Sequence, residues 1–333
     1  MPGTISAPPT AEEKHSEVHM DIFYFSGTGN SLHIAREIQN RFPDARLVPI
    51  IRGLKSAHSE PDSPGTHSVP GAHSSQDADQ AEPAEQASEN TQAASTSKIV
   101  GFVFPIHLTD MPYPVRDFIE SLSVDSAEYI FAAATRISTY YIADIRLQRI
   151  LRKKGKSLDA FFIIDMARNS PCGLVPKFFP GFKKMVDSWA GSFAPEKLQE
   201  IDTAAQRRLD KICAAIETRR RHWDGKNLLS MTGKHLNTLL MAPMEKSTRK
   251  QTIPFFADAD CTGCGLCEEV CLSGRVVLAD GRPVWQTDVP CFFCYACFNS
   301  CPEQAILIQD KYERKTGRYL HPGITPADIA GQK

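Results

Sequence analysis

Short apolar runs alternate with amphipathic stretches through the first half of the chain. The runs end in small or polar residues, which is typical of buried strands in a parallel sheet. They occupy residues 19–25, 46–50, 98–105, 129–135 and 158–167. Stretches with apolar residues on one helical face separate them, at residues 31–42, 113–122 and 142–155. Because strands alternate with helices, the pattern predicts an α/β doubly wound parallel sheet.

Three segments interrupt this pattern. Residues 55–97 contain almost no apolar side chains, so they are expected to form a disordered surface insertion. A tolerated loop is favoured there over a partner-docking segment. Residues 1–19 are expected to be a disordered extension or to reflect an upstream start-site assignment, with Met20 at the first strand. Residues 171–251 are expected to form a helical linker, whose apolar face carries Ile201, Leu209, Ile212 and Ile216.

Length, charge and hydropathy argue against several classes of protein. The chain has 333 residues, enough for two cores, and a net charge of −1, which argues against a nucleic-acid partner. No apolar run reaches the roughly 18 residues of a membrane span, and no secretory signal is visible. A cytoplasmic location is expected. The oligomeric state is left open.

Eight of the ten cysteines lie between Cys261 and Cys301. They form two C-x2-C-x2-C-x3-C repeats, the spacing of the bacterial two-cluster ferredoxin, in which the fourth cysteine of each repeat ligates the other cluster. Two [4Fe–4S] clusters are therefore predicted. The first ligand set is Cys261, Cys264, Cys267 and Cys301; the second is Cys291, Cys294, Cys297 and Cys271. Zinc is the alternative, but zinc ribbons use two cysteine pairs rather than two matched quartets.

Other features fit a ferredoxin domain over residues 252–311, followed by a tail over 312–333. Asp280-Gly281 between apolar residues predicts a hairpin, and residues 305–308 predict a closing strand. Aromatic residues near the second repeat are expected to shield the clusters from water: Phe292, Phe293, Tyr295 and Phe298. Of the two remaining cysteines, Cys213 is expected in the core, and Cys172 is expected to be an unreactive thiol in a loop.

The segment SGTGNS follows the first predicted strand and is a candidate phosphate loop. It lacks the lysine of a P-loop. It also lacks the third glycine of a dinucleotide-binding fingerprint, where Leu32 stands, and the acidic residue expected further on. Hydroxyls and backbone N–H groups at a helix N-terminus can nonetheless hold a phosphate. The loop residues are Ser26, Gly27, Thr28, Gly29, Asn30 and Ser31.

This loop and the later segments GFVFP and AAATRIS resemble those of flavodoxin-like domains. The resemblance implies a sheet of order 2-1-3-4-5 that binds FMN at the switch point between strands 1 and 3. It assigns two further loops to the flavin ring: Pro105, Ile106 and His107 in one, and Thr135, Arg136, Ile137 and Ser138 in the other. The alternative is a flavodoxin fold that does not bind flavin.

The combination of the two halves resembles the EFR1 family, flavodoxin–ferredoxin fusion proteins from anaerobic organisms. The resemblance covers residues 20 to about 310. It implies electron transfer between two [4Fe–4S] clusters and FMN on behalf of a redox partner protein. Two alternatives are a flavin-dependent oxidoreductase with a small substrate, and a redox-responsive binding protein whose flavin site is empty. No acid–base or nucleophile constellation predicts catalytic residues.

Overall fold

The structure is a computed structural model of the chain. It describes residues 19–56, 94–107, 109–137, 141–171, 177–178, 180–189, 193–225 and 252–333. Predictions that concern residues 1–18, the centre of the insertion, Ser138 and Cys172 lie outside these residues. Within the described ranges, no helix combines the length and the apolar character that a membrane crossing requires.

A six-stranded parallel sheet forms the N-terminal domain. Its strands are β1 (Met20–Tyr24), β2 (Ala45–Pro49), β3 (Ile99–Pro105), β4 (Tyr129–Arg136), β5 (Ala160–Asp165) and β6 (His222–Trp223). Their order is β2-β1-β3-β4-β5-β6, and each neighbouring pair is parallel. The first five strands have the flavodoxin-like order, so the fold prediction is confirmed.

Helices cover this sheet because each presents one apolar face to it. They are α1 (Asn30–Arg41), α2 (Ile50–Ser56), α3 (Tyr113–Ser121), α4 (Ala143–Lys153) and α6 (Pro195–Glu217). The short helix α5 (Phe182–Asp187) instead packs Val186 into the core of the C-terminal domain. Helix α1 contacts α6, whereas α3 contacts α2 and α4. Leu209, Ile212 and Ile216 of α6 are fully buried, as the predicted apolar face requires, whereas Ile201 near the start of the helix is only half-buried.

Two predicted boundaries are wrong. Helix α2 continues through residues 55 and 56, and Ser95 and Ser97 are buried at the other end of the predicted insertion. Ser95 donates a hydrogen bond to Asp21 of β1, which ties this end to the sheet. The predicted linker also contributes β6, which lengthens the sheet by pairing with β5. Two residues are too short a strand to show a period in the sequence.

The C-terminal domain consists of two small antiparallel pairs and two short helices. Strand β7 (Phe255–Ala257) pairs with β10 (Ile306–Ile308), and β8 (Val276–Ala279) pairs with β9 (Arg282–Trp285). Asp280 and Gly281 join β8 to β9 with positive φ angles of 49° and 72°, which confirms the predicted hairpin turn. Helices α7 (Leu266–Glu269) and α8 (Ala296–Ser300) each begin inside a cysteine repeat.

The prediction of a tail over residues 312–333 is also wrong. Tyr319, Ile324 and Ile329 are almost completely buried, and helix α9 (Pro326–Ala330) begins with a capping box at Thr325. Ile324 and Ile329 belong to the same hydrophobic core as the parallel sheet. This segment is charged and short, so its apolar residues carry no recognisable period. The final turn of the chain is therefore an integral part of the N-terminal domain's core.

Candidate functional site

The first predicted ligand set surrounds one cavity. Cys261 and Cys264 come from the loop that leads into α7, Cys267 lies in the first turn of α7, and Cys301 follows the end of α8. We call this arrangement the outer site, because Cys264 is exposed and Cys261 and Cys301 are half-buried. The structure therefore brings together cysteines from both repeats, as the crossed ligand pattern predicts. Their ligation of a cluster stays a prediction.

The second set forms the inner site: Cys271, Cys291, Cys294 and Cys297. Three of these thiols, at Cys271, Cys294 and Cys297, are buried. The pKa of the Cys297 thiol is raised by burial and then by the nearby sulfurs of Cys271, Cys294 and Cys291. All four side chains thus share one electrostatic environment, although Cys271 belongs to the first repeat.

Burial sets the chemistry of these sulfurs. It raises the pKa of Cys267 in the outer site to about 11 and shifts that of Cys294 in the inner site further in the same direction. Only the thiolate ligates a metal, so a buried thiol group must exchange its proton for a cation. Four converging thiols, crowded away from water, are a donor set that suits a cluster of iron and sulfide.

The local backbone explains how each loop turns its cysteines inward. Gly263 and Gly265 in the first repeat have φ angles of 71° and 80°. A Cβ on Gly263 would overlap the carbonyl oxygen of Gly281, so the position needs glycine for space as well as for conformation. In the second repeat the equivalent positions are Phe293 and Tyr295, which also have positive φ angles, of 54° and 58°.

Aromatic side chains enclose the inner site. Phe298 is fully buried, Tyr295 is 5% exposed and Phe293 is 9% exposed. Phe255 lies between Tyr295 and Phe298, with ring centroids 5.9 and 6.3 Å away. Phe292 instead points to the N-terminal domain, where its ring contacts Phe25 and Tyr113 edge-on. Phe293, Tyr295 and Phe298 thus pack in one cluster with cysteines of the inner site, whereas Phe292 does not belong to it.

The inner site rests on the candidate phosphate loop. A Cβ on Gly27 would overlap the carbonyl oxygen of Cys294 and lie 2.6 Å from its Cβ. A Cβ on Gly29 would lie 2.8 Å from His321 and 2.9 Å from Ile324. Ser26, Thr28 and Ser31 are at most 2% exposed, so other parts of the chain cover the loop.

Several polar groups of this loop are bonded to protein. The Ser26 N–H donates to Gln332, the Gly29 N–H donates to Ser26 Oγ, and Ser31 Oγ is 2.8 Å from Thr135 Oγ1. Asn30 donates to the carbonyl of Ala167. The loop glycines are in contact with other segments and these groups are paired within the protein, so a phosphate bound here would have to displace protein contacts.

The residues assigned to the flavin ring are distributed over two strand ends. Pro105 ends β3, Ile106 and His107 follow it, and all three are half-buried. Burial lowers the pKa of His107 to about 4, so its imidazole is neutral at pH 7. On the neighbouring strand, Thr135 is buried, Arg136 pairs with Asp165 at 3.0 Å, and Ile137 is 41% exposed. The structure brings these residues to one edge of the sheet, and their contact with a flavin stays a prediction.

Sequence analysis missed the residues that cover the loop. They are Tyr319, His321, Ile324 and Gln332, all in the segment taken for a tail. The pairing of Ser26 with Gln332 spans 306 positions, and neither residue carries a motif that signals it. Cys213, in contrast, is buried in the core of the N-terminal domain as expected.

Comparisons with known proteins support the description of the C-terminal domain. Residues 260–306 match the family described as the 4Fe-4S dicluster domain. No curated protein matches the chain. Among solved structures, a rubredoxin oxygen:oxidoreductase from the anaerobe Desulfovibrio gigas is similar over 60% of this chain and 37% of its own, with 12% identity and a TM-score of 0.26. The chain thus spans little more than a third of that protein, and its own strand order identifies the flavodoxin-like fold. The protein carries a ferredoxin domain of the 4Fe–4S type behind a flavodoxin-like domain.

Proposed function

We propose that the protein is an electron carrier that holds two [4Fe–4S] clusters, one at the outer site and one at the inner site. The observation that carries the proposal is the crossed grouping of the sulfurs. Cys301 lies with the first triplet, and Cys271 lies with the second. A zinc ribbon has no need of this exchange between repeats, whereas two cubane clusters do.

Each cluster supplies one-electron transfer when it is bound. The chain makes the two sites unequal. The outer site meets solvent at Cys264, whereas aromatic rings and the flavodoxin-like domain enclose the inner site. A redox partner protein therefore exchanges electrons at the outer site, and the inner site acts as the protected second centre.

Iron and sulfide analysis of anaerobically prepared protein tests this function. We expect about eight irons and about eight sulfides per chain, the content of two [4Fe–4S] clusters. Cys264→Ser and Cys294→Ser should each lower the iron content by about half, while Cys213→Ser, far from both sites, should leave it unchanged. Zinc without sulfide, or equal iron content in all three variants, would contradict the proposal.

FMN as a third redox centre is the alternative that the loop motif favours. It would require the loop to release the groups that now occupy it, Gln332 and His321 among them. A flavin-dependent oxidoreductase carries the same requirement. The proposal is therefore limited to the clusters, and its iron analysis does not depend on whether flavin binds.

A further inference from the structure

The last 15 residues of the chain, 319–333, lie across the candidate phosphate loop. We call this segment the clasp. It contains helix α9, and its side chains at Tyr319, His321, Ile324, Ile329 and Gln332 are at most 7% exposed. A segment that buries five side chains in a domain is held by more than incidental contact.

Gln332 makes the most specific contact of the clasp. Its side-chain Oε1 accepts from the Ser26 N–H at 2.9 Å, and its Nε2 donates to the Ser26 carbonyl at 2.7 Å. The amide thus satisfies both backbone groups of one loop residue, as a neighbouring strand would. Gln332 is completely buried. Loss of the amide would leave two buried backbone groups unpaired, which is costly.

Further contacts run along the loop and into α1. The His321 N–H donates to the Thr28 carbonyl at 2.9 Å, and the Tyr319 hydroxyl donates to Asn30 Oδ1 at 2.6 Å. Arg36 of α1 forms an ion pair with Asp328 of the clasp. Three successive parts of the clasp therefore engage the loop and its helix.

Both loop glycines serve close packing of protein against protein. Gly29 admits His321 and Ile324, and Gly27 admits the backbone of Cys294. In a phosphate loop, glycines allow the backbone to approach the ligand. Here the same lack of a side chain admits the clasp on one side and the inner cysteine loop on the other.

We propose that the loop is a docking site for the clasp, and that the protein consequently binds no FMN. The flavodoxin-like domain acts as a scaffold: its loop holds the C-terminus and the inner cysteine loop against the end of the sheet. This inference concerns the N-terminal domain and stands apart from the proposed electron transfer, which needs only the two cysteine sets.

The experiment uses full-length, cluster-loaded protein. Free FMN is titrated into it while flavin fluorescence is followed, and hydrogen–deuterium exchange is measured on the peptide that contains residues 25–31. We expect no quenching of flavin fluorescence by the wild type and slow exchange in this peptide. Gln332→Ala should speed that exchange roughly tenfold to hundredfold, because two buried hydrogen bonds are lost.

Two further variants make the test specific. Gln309→Ala removes an exposed glutamine of the ferredoxin domain and serves as the matched control, with exchange equal to the wild type. Asp328→Asn weakens the ion pair with Arg36 without opening a buried position, so it gives a smaller increase if Gln332→Ala does not fold. The 4Fe–4S absorbance of each variant reports the clusters separately.

Stoichiometric FMN bound to the wild type, before or after titration, would overturn the proposal. So would exchange in residues 25–31 that is equally slow in the wild type, Gln332→Ala and Asp328→Asn. Neither outcome bears on the iron content, so failure of this inference is distinguishable from failure of the electron-transfer proposal.

Discussion

The two cysteine loops have the same backbone but opposite surroundings. Residues 261–267 and 291–297 share left-handed conformations at equivalent positions, two and four residues after the first cysteine. The outer loop uses Gly263 and Gly265 there and exposes Cys264. The inner loop uses Phe293 and Tyr295 and is enclosed. One conformational requirement is therefore met by two different residue types.

The free energies of backbone strain and of side-chain burial explain why the two loops use different residue types. A left-handed conformation costs a residue with a side chain about 1–3 kcal/mol. A Phe or Tyr that buries about 150–250 Å² contributes roughly 4–6 kcal/mol at about 25 cal/mol per Å². Burial outweighs the strain in the inner loop. In the outer loop no such burial is available, so glycine, which has no penalty at positive φ, is the better residue.

The largest effect of the difference between the outer and inner sites should be that one cluster is lost more easily than the other. An iron chelator should remove about four of about eight irons rapidly and the rest slowly, because only the outer site is open to solvent. Cys264→Ser should abolish the fast phase and keep the slow one. Iron release followed by absorbance measures both phases. A single phase for all the iron would show that the two sites are equally protected.

A substitution at Gly27 should separate the inner loop from the N-terminal domain. Gly27→Ala places a methyl group against the backbone of Cys294, which cannot move aside as a flexible side chain can. We expect the free energy of unfolding to fall by about 3 kcal/mol, the upper end of the usual range for overpacking. Urea denaturation measures it. Gly323→Ala is the control, since its Cβ would only reach van der Waals distance of His321.

Exchanging residue types between the loops tests the balance of strain and burial. Phe293→Gly should lower the free energy of unfolding by about 3 kcal/mol, because lost burial exceeds the strain that is relieved. Gly265→Ala should lower it by about 1 kcal/mol, since φ is 80° and the new Cβ would contact only Leu278. If Phe293→Gly stabilises the protein in urea denaturation, strain dominates and the comparison fails.

The packing of the clasp should also become less stable in mild acid. Burial, and next the adjacent ring of His33, lowers the pKa of His321 to about 4; Asp202 acts in the opposite direction. The unfolded chain therefore takes up this proton first, and stability falls as the pH drops from about 6.5 towards 4. We expect a loss of about 1 kcal/mol at pH 5.5.

Thermal unfolding at pH 7.5 and 5.5 measures this loss. The unfolding temperature of His321→Gln should depend less on pH than that of the wild type. The ion pair of Asp328 with Arg36 should contribute nothing to this pH dependence. Arg36 holds the pKa of Asp328 at about 2, so this pair keeps its charge over the whole interval. An equal pH dependence in the variant would assign the effect to another group.

Patterns within short segments were sufficient for much of the fold. Apolar runs located β1, β3, β4 and β5, because a buried parallel strand is apolar on both faces. Asp280-Gly281 located the β8–β9 hairpin, because the turn requires positive φ at both residues. The strand β6 was missed since a strand of two residues has no period, and it forms only because β5 offers an edge.

The cysteine sets and the phosphate loop show where such reasoning ends. Cysteine spacing determined both sets of four sulfurs, because three of each set lie within seven residues and the fourth follows from the repeat. The loop motif SGTGNS determined a strand–loop–helix junction with two close-packing glycines. Tertiary structure alone decided which groups pack against those glycines, since Cys294 and the clasp are far from the loop in sequence, with Gln332 separated from Ser26 by 306 positions. A local motif specifies the shape of a site, whereas the folded chain decides what fills it.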